Sequence, residues 1–322
     1  MAKPKIGLYW CSGCGGCEES VVDLAENILA VAEAVDIVFW PVAMDFKYSD
    51  VEAMPDGSLA AVLINGSIRL TEQEEIARLL RRKAQVVIAH GTCAYLGGVV
   101  GLGNFSTRRQ LLEQAYEKAP SLAQGGVPGT KTRLDGHDVE LPRFMECVRP
   151  LDQVIEVDYY LPGCPPTPEL LLAAVTALLE GRLPPRGAVL ADDRALCDSC
   201  SRRETKPENL GLTGFHRVYE AEIDPGKCFL AQGLICMGPV TRGGCKERCL
   251  KGNLPCSGCF GPLDGVREQG AKFISTLGGT VELRDPEAVE AWVRSIPDPA
   301  GQLYRYSLAT SALRGAVRTE AR

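Results

Sequence analysis

No apolar run in these 322 residues approaches the roughly 20 needed to cross a membrane, so a spanning helix is not expected. An excess of positive charge is also missing. With 35 Lys and Arg against 41 Asp and Glu the net charge is −6, and a nucleic-acid partner, which favours a strongly basic surface, is not expected. Residues 1–10 run straight into a strand-like segment, with neither an export signal nor a twin-arginine leader, so the expectation is a cytoplasmic protein. Histidine is scarce: His90, His137 and His216 are the only three, so any metal site has to be built mostly from thiolate. The loop after the first strand-like segment lacks G-x-G-x-x-G, which argues against a dinucleotide site there. There is no internal repeat and no low-complexity tract.

What the chain does have is cysteine, 14 in all, in a composition that is 45% hydrophobic and 24% charged and long enough to bury a core. In a reducing compartment, clustered thiols more often bind metal or do redox chemistry than form disulfides. All-thiolate sites favour zinc or iron–sulfur clusters.

The first half reads as alternating strand and helix. Short apolar runs at 6–10, 36–40, 60–64, 85–89 and 154–158 suit buried parallel strands. Helical patterns lie between and beyond them at 18–31, at 71–82 (opening with Thr71 and Glu74 at capping-box spacing), and at 169–180 behind Thr167 and Pro168. The fold class expected is α/β: a flavodoxin-like open parallel sheet over residues 1–182, followed by an irregular cysteine-rich iron–sulfur domain over 183–275 and a C-terminal tail over 276–322. Residues 97–150, with one helix at 107–118, read as an insertion between the fourth and fifth strands, and 181–187 as a linker. The cysteine-rich segment is nearly free of periodicity and needs staples. The tail has a helix at 286–295 and ends in a polar stretch ordered by a partner.

Cys11, Cys14 and Cys17 follow the first strand, Cys93 the fourth and Cys164 the fifth. In an open parallel sheet the loops after the strands gather at one edge, where such folds place ligands, so thiols from three loops can meet there. A tetrathiolate [4Fe–4S] site needs four of them. Further on, Cys197-x2-Cys200-x27-Cys228-x7-Cys236-x8-Cys245-x3-Cys249-x6-Cys256-x2-Cys259 offers eight thiols, enough for two more such sites. Two C-x-x-C pairs in one segment are a strong metal signal, and zinc ribbons remain an alternative on spacing alone. Glu18 and Glu19 open a helix, where their charge suits its N-terminal end, and a contact with a partner is the other reading. His90 reads as a packed residue and not a ligand.

Six pieces in order resemble the small subunit of nickel–iron hydrogenases: Cys14-Gly15-Gly16-Cys17-Glu18-Glu19-Ser20, Asn65-Gly66-Ser67, Gly91-Thr92-Cys93-Ala94, Pro162-Gly163-Cys164-Pro165-Pro166, Gly238-Pro239-Val240-Thr241 and Pro255-Cys256-Ser257-Gly258-Cys259. Within that family the chain is similar to the cytoplasmic three-cluster subunits of methyl-viologen-reducing hydrogenases, which feed heterodisulfide reductase-type complexes. The resemblance implies three [4Fe–4S] clusters. Cys14, Cys17, Cys93 and Cys164 would hold the proximal one, Cys245, Cys249, Cys256 and Cys259 the medial one, and Cys197, Cys200, Cys228 and Cys236 the distal one, all twelve serving as iron ligands. Many periplasmic members of the family have histidine where Cys197 stands, and only three cysteines at the medial site, where this chain adds Cys249. Cys11 and Cys147 are left over. The resemblance also implies a hydrogenase subunit without catalytic residues of its own. It would relay electrons from H2 oxidation in a nickel–iron large subunit to an electron-accepting subunit linked to heterodisulfide reductase. Two other functions are carried along. One is an iron–sulfur subunit of the complex I or membrane-hydrogenase type, which usually ends after one cluster and often has a Cys-Cys pair that is absent here. The other is a zinc-stapled interaction protein without redox activity.

Overall fold

The computed structural model describes residues 3–123, 125–212, 214–280 and 283–313. In chain order the strands are β1 (Lys5–Trp10), β2 (Asp36–Phe39), β3 (Leu59–Asn65), β4 (Ile68–Leu70), β5 (Ala84–His90), β6 (Lys131–Leu134), β7 (His137–Glu140), β8 (Phe144–Arg149) and β9 (Tyr159–Leu161). Five of them form the main sheet in the order β2-β1-β3-β5-β9, all pairs parallel. Parallel strands covered on both faces read as continuous apolar runs, and Leu59, Ala61, Val62, Ile64, Val87 and Ala89 are accordingly buried. The expected α/β open sheet is present in its flavodoxin-like order.

Three local readings need correction. The fifth strand is Tyr159–Leu161, not 154–158. Val154, Ile155 and Val157 are buried, but as an irregular segment in one core cluster. Asp158 then ends that segment: its carboxylate accepts from the Val87 N–H at 2.7 Å and meets Arg81 at 2.6 Å and Arg186 at 2.8 Å. Burial, and not ladder pairing, explains the apolar run. The helix read at 18–31 is two helices, Gly16–Val22 and Asn27–Ala34. Between them Ala25 takes a left-handed conformation (φ 50°), and the turn drops Leu24 into the core. The helix Thr71–Lys83 is held at its start by Gln73, whose side-chain oxygen accepts from the Leu70 N–H at 3.0 Å, while Glu74 pairs with Arg78 and Arg149.

The insertion is more structured than its sequence suggested. It carries the helix Arg108–Tyr116, an exposed hairpin of β6 and β7, and β8, which pairs antiparallel with β4 beside the sheet. Just past the stretch read as a linker, residues 188–190 run parallel beside β9, where Tyr160 N–H donates to Ala188 O at 3.1 Å and Leu190 N–H to Tyr160 O at 2.7 Å. The cysteine-rich segment does have a core. Phe215, Phe229, Leu230 and Met237 pack with Phe273 and Leu277 of helix Gln269–Gly278 and Trp292 of helix Pro286–Arg294. Tail helices thus supply the apolar mass that the segment lacks. The end of the polar tail, 314–322, lies outside the described residues.

One buried arginine ties the cysteine-rich part together internally, and Glu169 joins that part to the helix that follows β9. Arg242, 2% exposed, donates to Pro262 O at 3.0 Å and to Asp264 at 2.6 Å, and pairs with Asp193 at 3.3 Å. Glu169, at the start of helix Pro168–Leu179, meets Lys246 at 3.2 Å and Arg248 at 3.0 Å. Its own backbone N–H, then Lys246 and Arg248, hold its carboxyl down at about 2.

Candidate metal centres

Strand ends set the first group of thiols. Cys14 and Cys17 flank the start of helix Gly16–Val22 after β1. Cys93 lies in the short helix Thr92–Leu96 after β5, and Cys164 follows β9. All four line one cavity, together with Gly13, Asn65, Gly66, Thr92 and Gly163. Burial raises the Cys17 thiol, and the facing Cys93, Cys164 and Cys14 raise it further. Cys93 is pushed up to about 12 by burial and then by Cys164 and Cys14. Two glycines make room for the sulfurs. A Cβ on Gly91 (φ +86°) would sit 2.3 Å from Cys17 Sγ, and one on Gly98 (φ +63°) 2.3 Å from Cys93 Sγ. Only glycine takes such a backbone without strain and leaves that space open.

Cys245, Cys249, Cys256 and Cys259 line a second cavity of about 180 Å³, and Cys164 also lines it. Burial pushes Cys259 up to about 12, the backbone N–H of Cys164 acts on its sulfur in the opposite sense, and Cys164, Cys249 and Cys245 add to the rise. Burial likewise raises Cys256, helped by Cys236, Cys259 and Cys245.

The third group is Cys197, Cys200, Cys228 and Cys236. Burial pushes Cys197 up to about 12, with Cys236, Cys200 and Cys228 adding to it and Lys206 opposing. Cys236 reaches about 11 through burial, although the N–H groups of Gly238 and Cys256 pull it down. The Cys256 N–H lies 3.3 Å from Cys236 Sγ, so a backbone group of the second set touches a sulfur of the third. Arg202 N–H reaches Cys200 Sγ at 3.4 Å. Its guanidinium is buried on the Phe229 ring (4.1 Å to the centroid) and donates to Asn253 at 2.9 Å and to Lys227 O at 3.2 Å, which fixes the loops around the site.

The structure thus places Cys14, Cys17, Cys93 and Cys164 around one cavity and Cys245, Cys249, Cys256 and Cys259 around a second, with Cys164 on both and Cys236 next to the second set. Among the described residues no three His, Cys, Asp or Glu side chains converge closely enough for a single metal ion. The donor set, the glycine clearances and the amides aimed at sulfur fit iron–sulfur clusters. Cys11 is buried near Tyr9 and Tyr48, and burial raises its thiol. Cys147 lies in β8. Neither lines the cavities above.

Sequence reasoning missed three features. Glu18 is turned inward, not toward a partner: Trp40 Nε1 and Asn65 Nδ2 both donate to it, while its burial raises its pKa against those two bonds. The Asn65-Gly66-Ser67 motif was the available signal for that contact. Thr92, 1% exposed inside the Gly91-Thr92-Cys93 motif, bonds across three loops. Arg202, one of the charged residues set among the thiols, reads in sequence as solvated surface or as an offset to cluster charge, and its burial on Phe229 corrects the surface reading. His90 is a packed residue as read. It is fully buried, with Nε2 3.2 Å from Ser20 Oγ, and burial pushes its pKa down to about 4, so the ring is neutral near pH 7.

Residues 14–178 match the family described as NADH ubiquinone oxidoreductase, 20 Kd subunit. That match covers the flavodoxin-like part and stops before the last eight thiols. The whole-length likenesses are to hydrogenase subunits. The iron–sulfur subunit of the F420-non-reducing hydrogenase of Archaeoglobus profundus is 39% identical, covering 94% of this chain and 96% of its own length. A subunit of the F420-non-reducing hydrogenase of Methanothermobacter thermautotrophicus is 35% identical over 99% of this chain and 98% of its own. The solved [NiFeSe] hydrogenase of Desulfovibrio vulgaris Hildenborough shares the fold, with a TM-score of 0.52 at 17% identity over 84% of this chain and 96% of that one. No helix among the described residues is long and apolar enough to cross a membrane. With both cysteine-rich parts inside the matched length, the chain belongs to the hydrogenase iron–sulfur small-subunit family, alongside the iron–sulfur subunits of F420-non-reducing hydrogenases.

Proposed function

We propose that this chain relays single electrons, released when a separate nickel–iron large subunit oxidises dihydrogen, to an electron-accepting subunit of a heterodisulfide reductase-linked complex in the cytoplasm. Cys14, Cys17, Cys93 and Cys164 would hold a proximal [4Fe–4S] cluster. Cys245, Cys249, Cys256 and Cys259 would hold a medial one, and Cys197, Cys200, Cys228 and Cys236 a distal one. Such clusters supply reversible one-electron storage at potentials set by charge, burial and hydrogen bonds to sulfur. The chain's own residues hold the sulfurs in place and present amides to them. The observation that carries the reading is the adjacency of successive groups: Cys164 lines both the first and the second cavity, and the Cys256 N–H lies 3.3 Å from Cys236 Sγ. A relay needs neighbouring sites in series, and a set of separate structural staples does not.

Two tests follow. Purified without oxygen as a complex, the brown chain should bleach under H2, and it should co-purify with a nickel-containing subunit. The isolated chain should bleach only with a chemical reductant. Hydrogen oxidation by the chain alone, or nickel-free partners only, would remove the reading. Gly91→Ala tests the proximal assignment. The added methyl would collide with Cys17 Sγ at a strained φ. About four of about twelve iron should then be lost per chain, read by metal analysis. A full iron complement would show that Cys17 does not need that space.

A further inference from the structure

We propose that Thr92 is a positioning residue that fixes the spacing between the first and second thiol groups. The inference rests on the reading that both groups hold iron–sulfur clusters. Thr92 is 1% exposed and precedes Cys93 directly. Its N–H donates to Gly163 O at 2.8 Å, and its Oγ1 accepts from the Gly163 N–H at 3.0 Å, so it is bonded twice to the residue before Cys164. The same hydroxyl donates to the carbonyl oxygen of Cys259. One side-chain oxygen thus joins the loop of Cys93, the loop of Cys164 and the turn that ends in Cys259.

The chemistry requires a group that donates and accepts through one small atom in a dry place, which only a hydroxyl does. A valine in its place would set a methyl against the Cys259 carbonyl and leave both that carbonyl and the Gly163 N–H without partners, so the turn of Cys259 would shift away while the backbone bond from Thr92 to Gly163 O stays. The junction of the second and third groups is made differently. There the Cys256 backbone N–H reaches Cys236 Sγ at 3.3 Å. That junction serves as an internal control.

The test uses the whole complex with its large subunit, reduced so that neighbouring centres are paramagnetic, and reads the magnetic interaction between them by pulsed electron paramagnetic resonance. Thr92→Val should keep its iron but lose part of the first–second interaction, with the second–third interaction unchanged. Thr92→Ser, which keeps the hydroxyl, should match the parent. If Thr92→Val does not assemble, Thr92→Ala removes the hydroxyl without pressing a methyl on the carbonyl and should show the same selective loss. A hydroxyl-free variant with both interactions intact overturns the proposal. So does a serine variant displaced as far as valine, because the methyl and not the hydroxyl would then matter. A parent complex without iron at either group would instead overturn the underlying reading, and the proposal with it.

Discussion

Purified with its partner, the chain should carry about twelve iron and about twelve acid-labile sulfide, and Cys17→Ser should remove about four of each. Cys17 is the informative position. Burial and three facing thiols all raise its pKa, so its thiolate needs a cation beside it to offset the charge. A serine there cannot restore the sulfur donor, and the Gly91 backbone leaves a gap shaped for sulfur. Cys11→Ser should leave the count unchanged. Its thiol is among the chain's buried side chains near Tyr9 and Tyr48, outside the cavity that the other four line. The opposite pair of results would mean that the first motif is read three residues out of register. Stoichiometric zinc with little iron would end the iron–sulfur assignment altogether.

The candidate sites were legible because their residues are rare and their topology is restrictive. Cysteine at the C-terminal ends of the first, fourth and last strands of an open parallel sheet has one edge on which to meet, so Cys14, Cys17, Cys93 and Cys164 could be brought together from sequence. The tracing of the fifth strand failed because apolarity reports burial and not pairing. Val154, Ile155 and Val157 are buried, yet the ladder starts only after Asp158. The break at Ala25 carried no signal, since neither glycine nor proline marks it and the gain is the burial of Leu24. The core of the cysteine-rich part was hidden for another reason. Its apolar partners, Phe273, Leu277 and Trp292, lie on helices beyond the thiols in sequence, and local composition does not record a long-range contact. Thr92 sat inside a quoted motif, but its hydroxyl's part in joining three loops depends on Cys259, 167 residues away.

Cys249→Ala should convert the medial centre of the oxidised protein to a [3Fe–4S] form, seen as a new electron paramagnetic resonance signal, with about one iron lost from about twelve. Cys249 lies in the short helix Arg248–Lys251 and lines the second cavity with Cys245, Cys256 and Cys259. Burial raises its thiol and the neighbouring Cys245 raises it further, while Cys259 in turn feels Cys249, which places it within the group electrically as well as in space. Three thiolates leave one iron corner without a protein ligand, and that iron is readily lost. A fourth thiolate holds it and adds negative charge, which disfavours taking up an electron and lowers the potential. The variant's medial potential should therefore rise. Alanine is the cleaner substitution, because proline would bias Arg248 away from helical geometry and disturb its ion pair with Glu169. The competing account is a bystander thiol at the cavity wall, since Cys249 also borders a separate cavity of about 390 Å³ lined by His216, Tyr219 and Arg305. An unchanged spectrum with unchanged iron would take Cys249 off the ligand set and leave the fourth corner to a group other than thiolate.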